Sequence, residues 1–190
     1  MGVTVTNLLQ GPGTLYYGDY SATAANEPDN TAINVAPAAS AWTDLGGTQD
    51  GVTMEVAREY ANLAVDQIID TPDRRQTTRE FSLATNLAEI TLENLARASN
   101  EDETVNVTTG AGWKQYEPDE NPFIPRFFAC IFDGYAPSNL RRRVFGRRML
   151  CIDPIQTAHK KDSQQLYTVK FAAHYVSSTV RPYKIVDQTS

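Results

Sequence analysis

Residues 42–56 read WTDLGGTQDGVTMEV: a tryptophan, glycines at 46, 47 and 51, aspartates at 44 and 50, then an alternating run. An acidic glycine loop ahead of such a run can cage a cation, cradle a phosphate or only turn the chain, and the choice sets the fold class. A helix–loop–helix calcium site wants oxygen ligands at alternate positions and a bidentate glutamate at the twelfth. Counted from Asp44, Glu55 takes the twelfth place, but Gly46 stands at the third, Gly47 adds no ligand, and no helices flank the loop. A phosphate loop needs a lysine and a following helix. Here Val52, Met54 and Val56 alternate instead with Thr53, Glu55 and Ala57, the period of a strand with one wet face. Asp50–Gly51 is therefore read as a turn that launches the first core strand.

Working outward, residues 1–41 are expected to form an arm. TLYY (14–17) can pair as a short strand, but SATAANEPDNTAINVAPAASA (21–41) is small, polar and proline-punctuated, with no helical or strand period. Downstream, residues 42–190 read as one domain. ANLAVDQII (61–69) continues the strand, and the polar, proline-containing segment after it predicts a long turn over 66–80. NLAEITLENLARAS (86–99) predicts the one helix: Ala88, Leu92, Leu95 and Ala96 share a stripe, with Asn86 and Glu89 at capping-box spacing. RFFACIF (126–132) is apolar on both faces, so its second face needs a second layer or a second subunit. RVFGRRMLCID (143–153) and LYTVKFAAHYV (166–176) follow as strands, joined by a polar connection. The expected architecture is mainly β with one helix packed on a sheet.

Composition narrows the function. At 190 residues the chain can bury a sizeable core, and no stretch approaches the ~20 apolar residues of a membrane span. The N-terminus lacks the pattern of a signal peptide, and Met1–Gly2 with Thr6 has no polybasic support for a lipid anchor. The chain is thus expected to be made and kept in a cytoplasm. Cys130 and Cys151 lie in apolar runs, and His159 and His174 give them no ligand spacing, so neither metal nor cofactor is expected. No nucleophile elbow, zinc-protease or P-loop pattern occurs, and Asp66, Asp70 and Asp73 sit in a turn where solvation accounts for them. No enzyme is expected.

Charge is segregated along the chain. Residues 1–120 carry six Lys and Arg against nineteen Asp and Glu, and residues 121–190 carry eleven against four. The halves can satisfy each other within a subunit or meet across copies. Arg141, Arg142, Arg143, Arg147 and Arg148 form the densest cationic cluster. A nucleic-acid groove is one reading of it, but a pI near 4.9 and the lack of a stacking signature favour ion pairing.

Taken in order, LLQGPGTLYYGDYSAT (8–23), W-x-x-x-G-x-T-x-x-G at Trp42, Gly46, Thr48 and Gly51, LAVDQ, the turn around Pro72 and LAEITLENLARA resemble the tail tube (major tail) proteins of long-tailed bacteriophages. The resemblance spans nearly the whole chain and is carried by the order of its motifs. It implies a two-sheet β-sandwich or barrel-like core with a flanking helix, in subunits that close into hexameric rings and stack into a hollow tube conducting DNA from capsid to host. By the same resemblance the chain belongs in a virion tail after synthesis in the host cytoplasm. Its partners would be other copies of itself, a tape measure protein in the lumen, and tail terminator and tip proteins, with DNA only in non-specific transit and no membrane. Assembly contacts are expected at Ile68, Ile69, Arg74 and Arg75 in the long turn, at Phe127 and Phe128, and in the Arg141–Arg148 cluster. The alternatives are a tail terminator or completion protein forming one closed ring, and a nucleic-acid-binding module that uses the arginines.

Overall fold

The computed structural model describes residues 11–120 and 124–189. Ten strands dominate: β1 (Thr14–Asp19), β2 (Trp42–Asp44), β3 (Thr48–Leu63), β4 (Asp73–Leu87), β5 (Val107–Gly110), β6 (Trp113–Tyr116), β7 (Phe128–Ala136), β8 (Leu140–Cys151), β9 (Tyr167–Ala173) and β10 (Tyr183–Asp187). Two short helices, α1 (Leu92–Ala98) and α2 (Glu103–Asn106), lie between β4 and β5. The fold is mainly β, as the sequence predicts, with a large antiparallel sheet and a small second one. The large sheet runs β2-β1-β7-β8-β9-β4-β3, with β10 also on β8, and β5–β6 form the second.

β9 and β10 share one lane beside β8. β9 pairs Ala173 with Met149 and Phe171 with Cys151, while β10 pairs Tyr183 with Gly146 and Asp187 with Arg142. The chain leaves the lane at 174–182, and His174 N–H to Arg148 O (2.7 Å) and Arg147 N–H to Pro182 O (2.9 Å) close the gap. Where β9 ends, Tyr183 stacks on Phe81 of β4 with centroids 4.4 Å apart.

One face of this sheet carries the main core: Leu15, Tyr17, Phe81, Leu83, Phe128, Cys130, Val144, Met149, Val169 and Phe171, closed by Leu45 and by Ala98 of α1. The other face holds Ala129, Ile131 and Phe145 with Trp42. It is covered by the chain's own residues 21–41, laid across it as a strap. Trp42 Nε1 donates to Asn26 O at 2.9 Å, Arg143 Nη2 to Val35 O at 2.7 Å, and Lys184 Nζ to Glu27 at 2.6 Å. The doubly apolar RFFACIF thus finds its second layer inside one subunit. What reads as a free arm is partly sheet (β1) and partly this strap.

Three boundaries differ from the sequence reading. The helix is Leu92–Ala98 because Asn86 and Leu87 are held in β4 by pairing with Gln49 and Tyr167. Thr91, not Asn86, is its cap, accepting from Asn94 N–H at 3.1 Å, and Glu89 closes on Gly47 N–H instead. The long turn contracts to 64–72, because 73–80 form the exposed half of β4, their polarity being that of a ladder wet on both faces. Asp50–Gly51 is a bulge inside β3 rather than a turn before it: Gln49 faces Asn86 and Val52 faces Thr85, leaving both residues unopposed at φ 65° and 76°.

Candidate assembly surface

β3 and β4 outrun the rest of the sheet. Val52 and Val56 pack partly on the core, and Phe81 is buried, but every residue from 57 to 80 is exposed. A two-stranded hairpin wet on both faces is marginal in water. Its cross-strand pairs do little to offset that. Arg58 lies directly opposite Arg79, a like-charge pair that opposes the ladder, and a second bulge falls at Glu59/Tyr60. Thr78 Oγ1 to Glu59 at 3.1 Å is a compensating bond.

The same hairpin carries much of the exposed apolar surface. Met54, Tyr60, Leu63, Val65 and Ile68 are about half exposed, and Ile69 is fully so at 106%. Large apolar side chains gathered on one projection make it the candidate contact surface of the chain. Ile68, Ile69, Arg74 and Arg75, four of the expected assembly contacts, are exposed on this hairpin. β3 is also an edge strand, and its Asp50–Gly51 bulge and its charges are the usual means of blunting such an edge.

The other expected contacts are placed differently. Phe128 is 0% exposed in the main core, stacked on Tyr17 at 4.9 Å, and cannot reach a neighbour. Phe127 is half-buried beneath Arg148, whose guanidinium lies 3.9 Å from its ring centroid and which also donates to Tyr175 O at 2.8 Å. Arg143 is 1% exposed, with Nε and Nη2 both 2.6 Å from Asp133, so its role is internal. Arg142 is bidentate with Asp187 at 2.6 and 2.7 Å, and Arg147 pairs with Glu27. Arg141, over the Tyr135 ring at 4.9 Å, is the exposed member of the cluster.

The charge asymmetry is therefore met largely within the chain. Arg126 reaches Asp19 and Asp102 at 2.6 Å, Lys184 reaches Glu27, and Lys170 reaches Glu55 at 3.4 Å, each pair crossing from the basic half to the acidic half. Within the 141–148 cluster, Arg142, Arg143 and Arg147 are thus engaged by carboxylates of the same chain. Glu27 and Asp133 are the anchors that sequence reasoning missed. Glu27 sits in an aperiodic segment and finds Arg147 only across the sheet, a separation that no local pattern encodes.

Both cysteines are free and buried, and burial pushes each thiol's pKa up, the direction that makes it inert. Among the described residues no group of three or more His, Cys, Asp or Glu could hold a metal ion, and no helix is long and apolar enough to cross a membrane.

No protein-family model matches the chain, and no curated protein does. Among solved structures it is similar to a chain from the tail of an empty GTA particle, computed with helical refinement and C6 symmetry. Identity is 10% and the TM-score 0.44, with 93% of this chain and 96% of that one covered.

Proposed function

We propose that this chain is the repeating subunit of a phage-type tail tube, closing into hexameric rings that stack into a conduit for DNA. The observation that carries the reading is the β3–β4 hairpin, which projects beyond the core and exposes Tyr60, Leu63, Val65, Ile68 and Ile69 along β3 and its tip, an apolar surface that a neighbour would cover. The ordered resemblance of Trp42, Gly46, Thr48 and Gly51 and of the segments around them to tail tube proteins supports it. A projection that meets a different surface on the next copy makes a heterologous contact, which closes into rings or extends into filaments according to the rotation. Hexamer formation and a place in the virion tail belong to this reading, and so do a tape measure protein in the lumen and terminator and tip proteins at the ends. The role is structural rather than catalytic. Net charge of −6 and arginines occupied by internal carboxylates suit a lumen that must let DNA slide.

Negative-stain microscopy of the purified protein tests this. Long tubes with a six-fold end view are expected. A persistent monomer at high concentration would overturn the reading. One closed ring that never extends would favour a terminator or completion protein instead.

A further inference from the structure

The sequence holds two Asp–Gly pairs, Asp50–Gly51 and Asp133–Gly134. Such a pair can rearrange without an enzyme. The glycine amide nitrogen loses its proton and bonds to the aspartate Cγ, and a carboxyl oxygen leaves as water, closing a succinimide ring. Water then adds at the aspartate's main-chain carbonyl carbon and breaks its bond to that nitrogen. The chain now runs through Cβ and Cγ, with the α-carboxylate left as the side group. One water leaves and one is taken up, and nothing is oxidised or reduced. Glycine hinders ring closure least, because it has no Cβ.

The fold treats the two pairs in opposite ways. Asp133 and Gly134 lie in β7, where Asp133 is paired with Thr14 of β1 and Arg143 of β8, and Gly134 with Arg142. Arg143 Nε and Nη2 hold the Asp133 carboxylate, both at 2.6 Å. A Cβ at the buried Gly134 would lie 2.9 Å from the Phe132 ring, so the space around this peptide is taken. Turning the carboxyl onto the Gly134 nitrogen would break the ion pair and pull the backbone out of its ladders.

Asp50 and Gly51 are exposed, and in the β3 bulge they stand opposite no residue of β4. β3 is an edge strand, so the sheet does not bound them on the other side. The Asp50 carboxylate accepts from Asn86 Nδ2 at a long 3.4 Å, and a Cβ at Gly51 would meet nothing within 4 Å. Thr85 Oγ1 donates to Gly51 O at 2.7 Å, which tethers the carbonyl rather than the attacking nitrogen. Asp50 also holds φ 65°, a left-handed conformation that an L side chain adopts at a cost, and the extra main-chain bond of the rearranged link frees the backbone to leave it.

We infer that Asp50–Gly51 is a site of spontaneous isoaspartate formation, and that the fold shields Asp133–Gly134 from the same reaction. The inference is independent of the tube reading.

The test ages the full-length chain at neutral pH, folded and in urea, and reads isoaspartate at each position by peptide mass spectrometry with electron-transfer fragmentation. In the folded chain, position 50 is expected to convert at least about tenfold faster than position 133, the protection that a closed ladder gives. In urea the two rates are expected to converge to within about threefold, because the ladder is gone. Asp50→Glu, which would have to close a larger ring, is expected to abolish the signal at that position. Equal conversion of both positions in the folded chain, or none at position 50, would overturn the inference. A gap that survives in urea would overturn the shielding by the fold, and a signal that survives Asp50→Glu would overturn the assignment to Asp50.

Discussion

Arg143, itself buried, gives Nε and Nη2 to the part-buried Asp133 and Nη2 to Val35 O. Such a pair is a poor source of net stability, since desolvating both charges offsets most of their attraction, but removing one partner strands the other. Asp133→Ala is expected to cost about 3–5 kcal/mol, read as a lowered urea midpoint at constant slope. A loss within the surface-substitution range would mean that water reaches Arg143. Glu27 answers to pH. Burial alone would lift its carboxyl, but hydrogen bonds from Arg147 and Lys184 outweigh that and hold it below its ordinary 4.5. Asp102 shifts the same way from 3.8, because its bonds to Thr104 and Arg126 overcome its burial, and Asp187 does so through Arg142. With the folded value the lower one, the unfolded chain binds the proton first as pH drops. The stabilisation is present above the ordinary values and is lost as pH falls through the folded ones. Urea midpoints are expected to hold steady above pH ~5 and to fall below it, with Glu27→Gln less stable at neutral pH and shallower in its acid loss. Parallel profiles for the two proteins would remove Glu27 from the account.

At the scale of elements, what could be read from sequence depended on how each segment is held. Strands of the large sheet announced themselves by alternation because the ladder fixes a period of two, and Phe128, Cys130 and Phe171 fall where that period puts them. The strap over 21–41 shows no period because isolated anchors hold it, Asn26 O on Trp42 and Glu27 between Arg147 and Lys184. The hairpin strand 73–80 read as a turn because both its faces meet water, which erases the contrast that alternation needs. α1 was visible as an apolar stripe, but its docking depends on a polar residue. Asn94 is 3% exposed, donates to Leu45 O and Glu89 O at 3.2 and 3.0 Å, and accepts from Arg97 at 3.1 Å. Asn94→Ala would leave two carbonyls unpaired and is expected to cost about 1–3 kcal/mol. Thr91→Ala, which removes only the cap, is expected to cost about 1 kcal/mol. Thermal unfolding of the two variants would rank them, and a larger loss at Thr91 would show that the cap, not the Asn94 bridge, secures the helix. Gly46 belongs to the same joint: at φ 83° a Cβ there would lie 2.2 Å from the Glu89 carboxylate. The glycines of the 42–56 stretch therefore serve packing and turning rather than ion binding.

Across the whole molecule, the part that folds and the part proposed to assemble separate cleanly. Neither core cluster includes any residue from 57 to 80, and the last core contacts of the two long strands are Val56 and its partner Phe81. Most of the ion pairs that join the acidic and basic halves, those of Arg126, Arg147 and Lys184, also lie outside the hairpin. A chain in which residues 58–79 are replaced by a two-residue turn should therefore keep its fold. Its unfolding temperature is expected within about 4 °C of wild type, the shift that roughly 1 kcal/mol produces in a domain of this size. It should also lose the exposed Tyr60, Leu63, Val65, Ile68 and Ile69, and with them the driving force for head-to-tail growth. Microscopy should then show monomers or single rings and no tubes, at concentrations where the wild type extends. Unimpaired tube growth by the shortened chain would take stacking away from the hairpin and leave it to the edges of the sheet. Loss of the fold itself would mean that β4 beyond Phe81 supports the core through contacts such as Arg79 over Tyr183, 5.8 Å from the ring centroid. Substituting Arg79 alone separates those outcomes, because it removes that contact while leaving the tip in place.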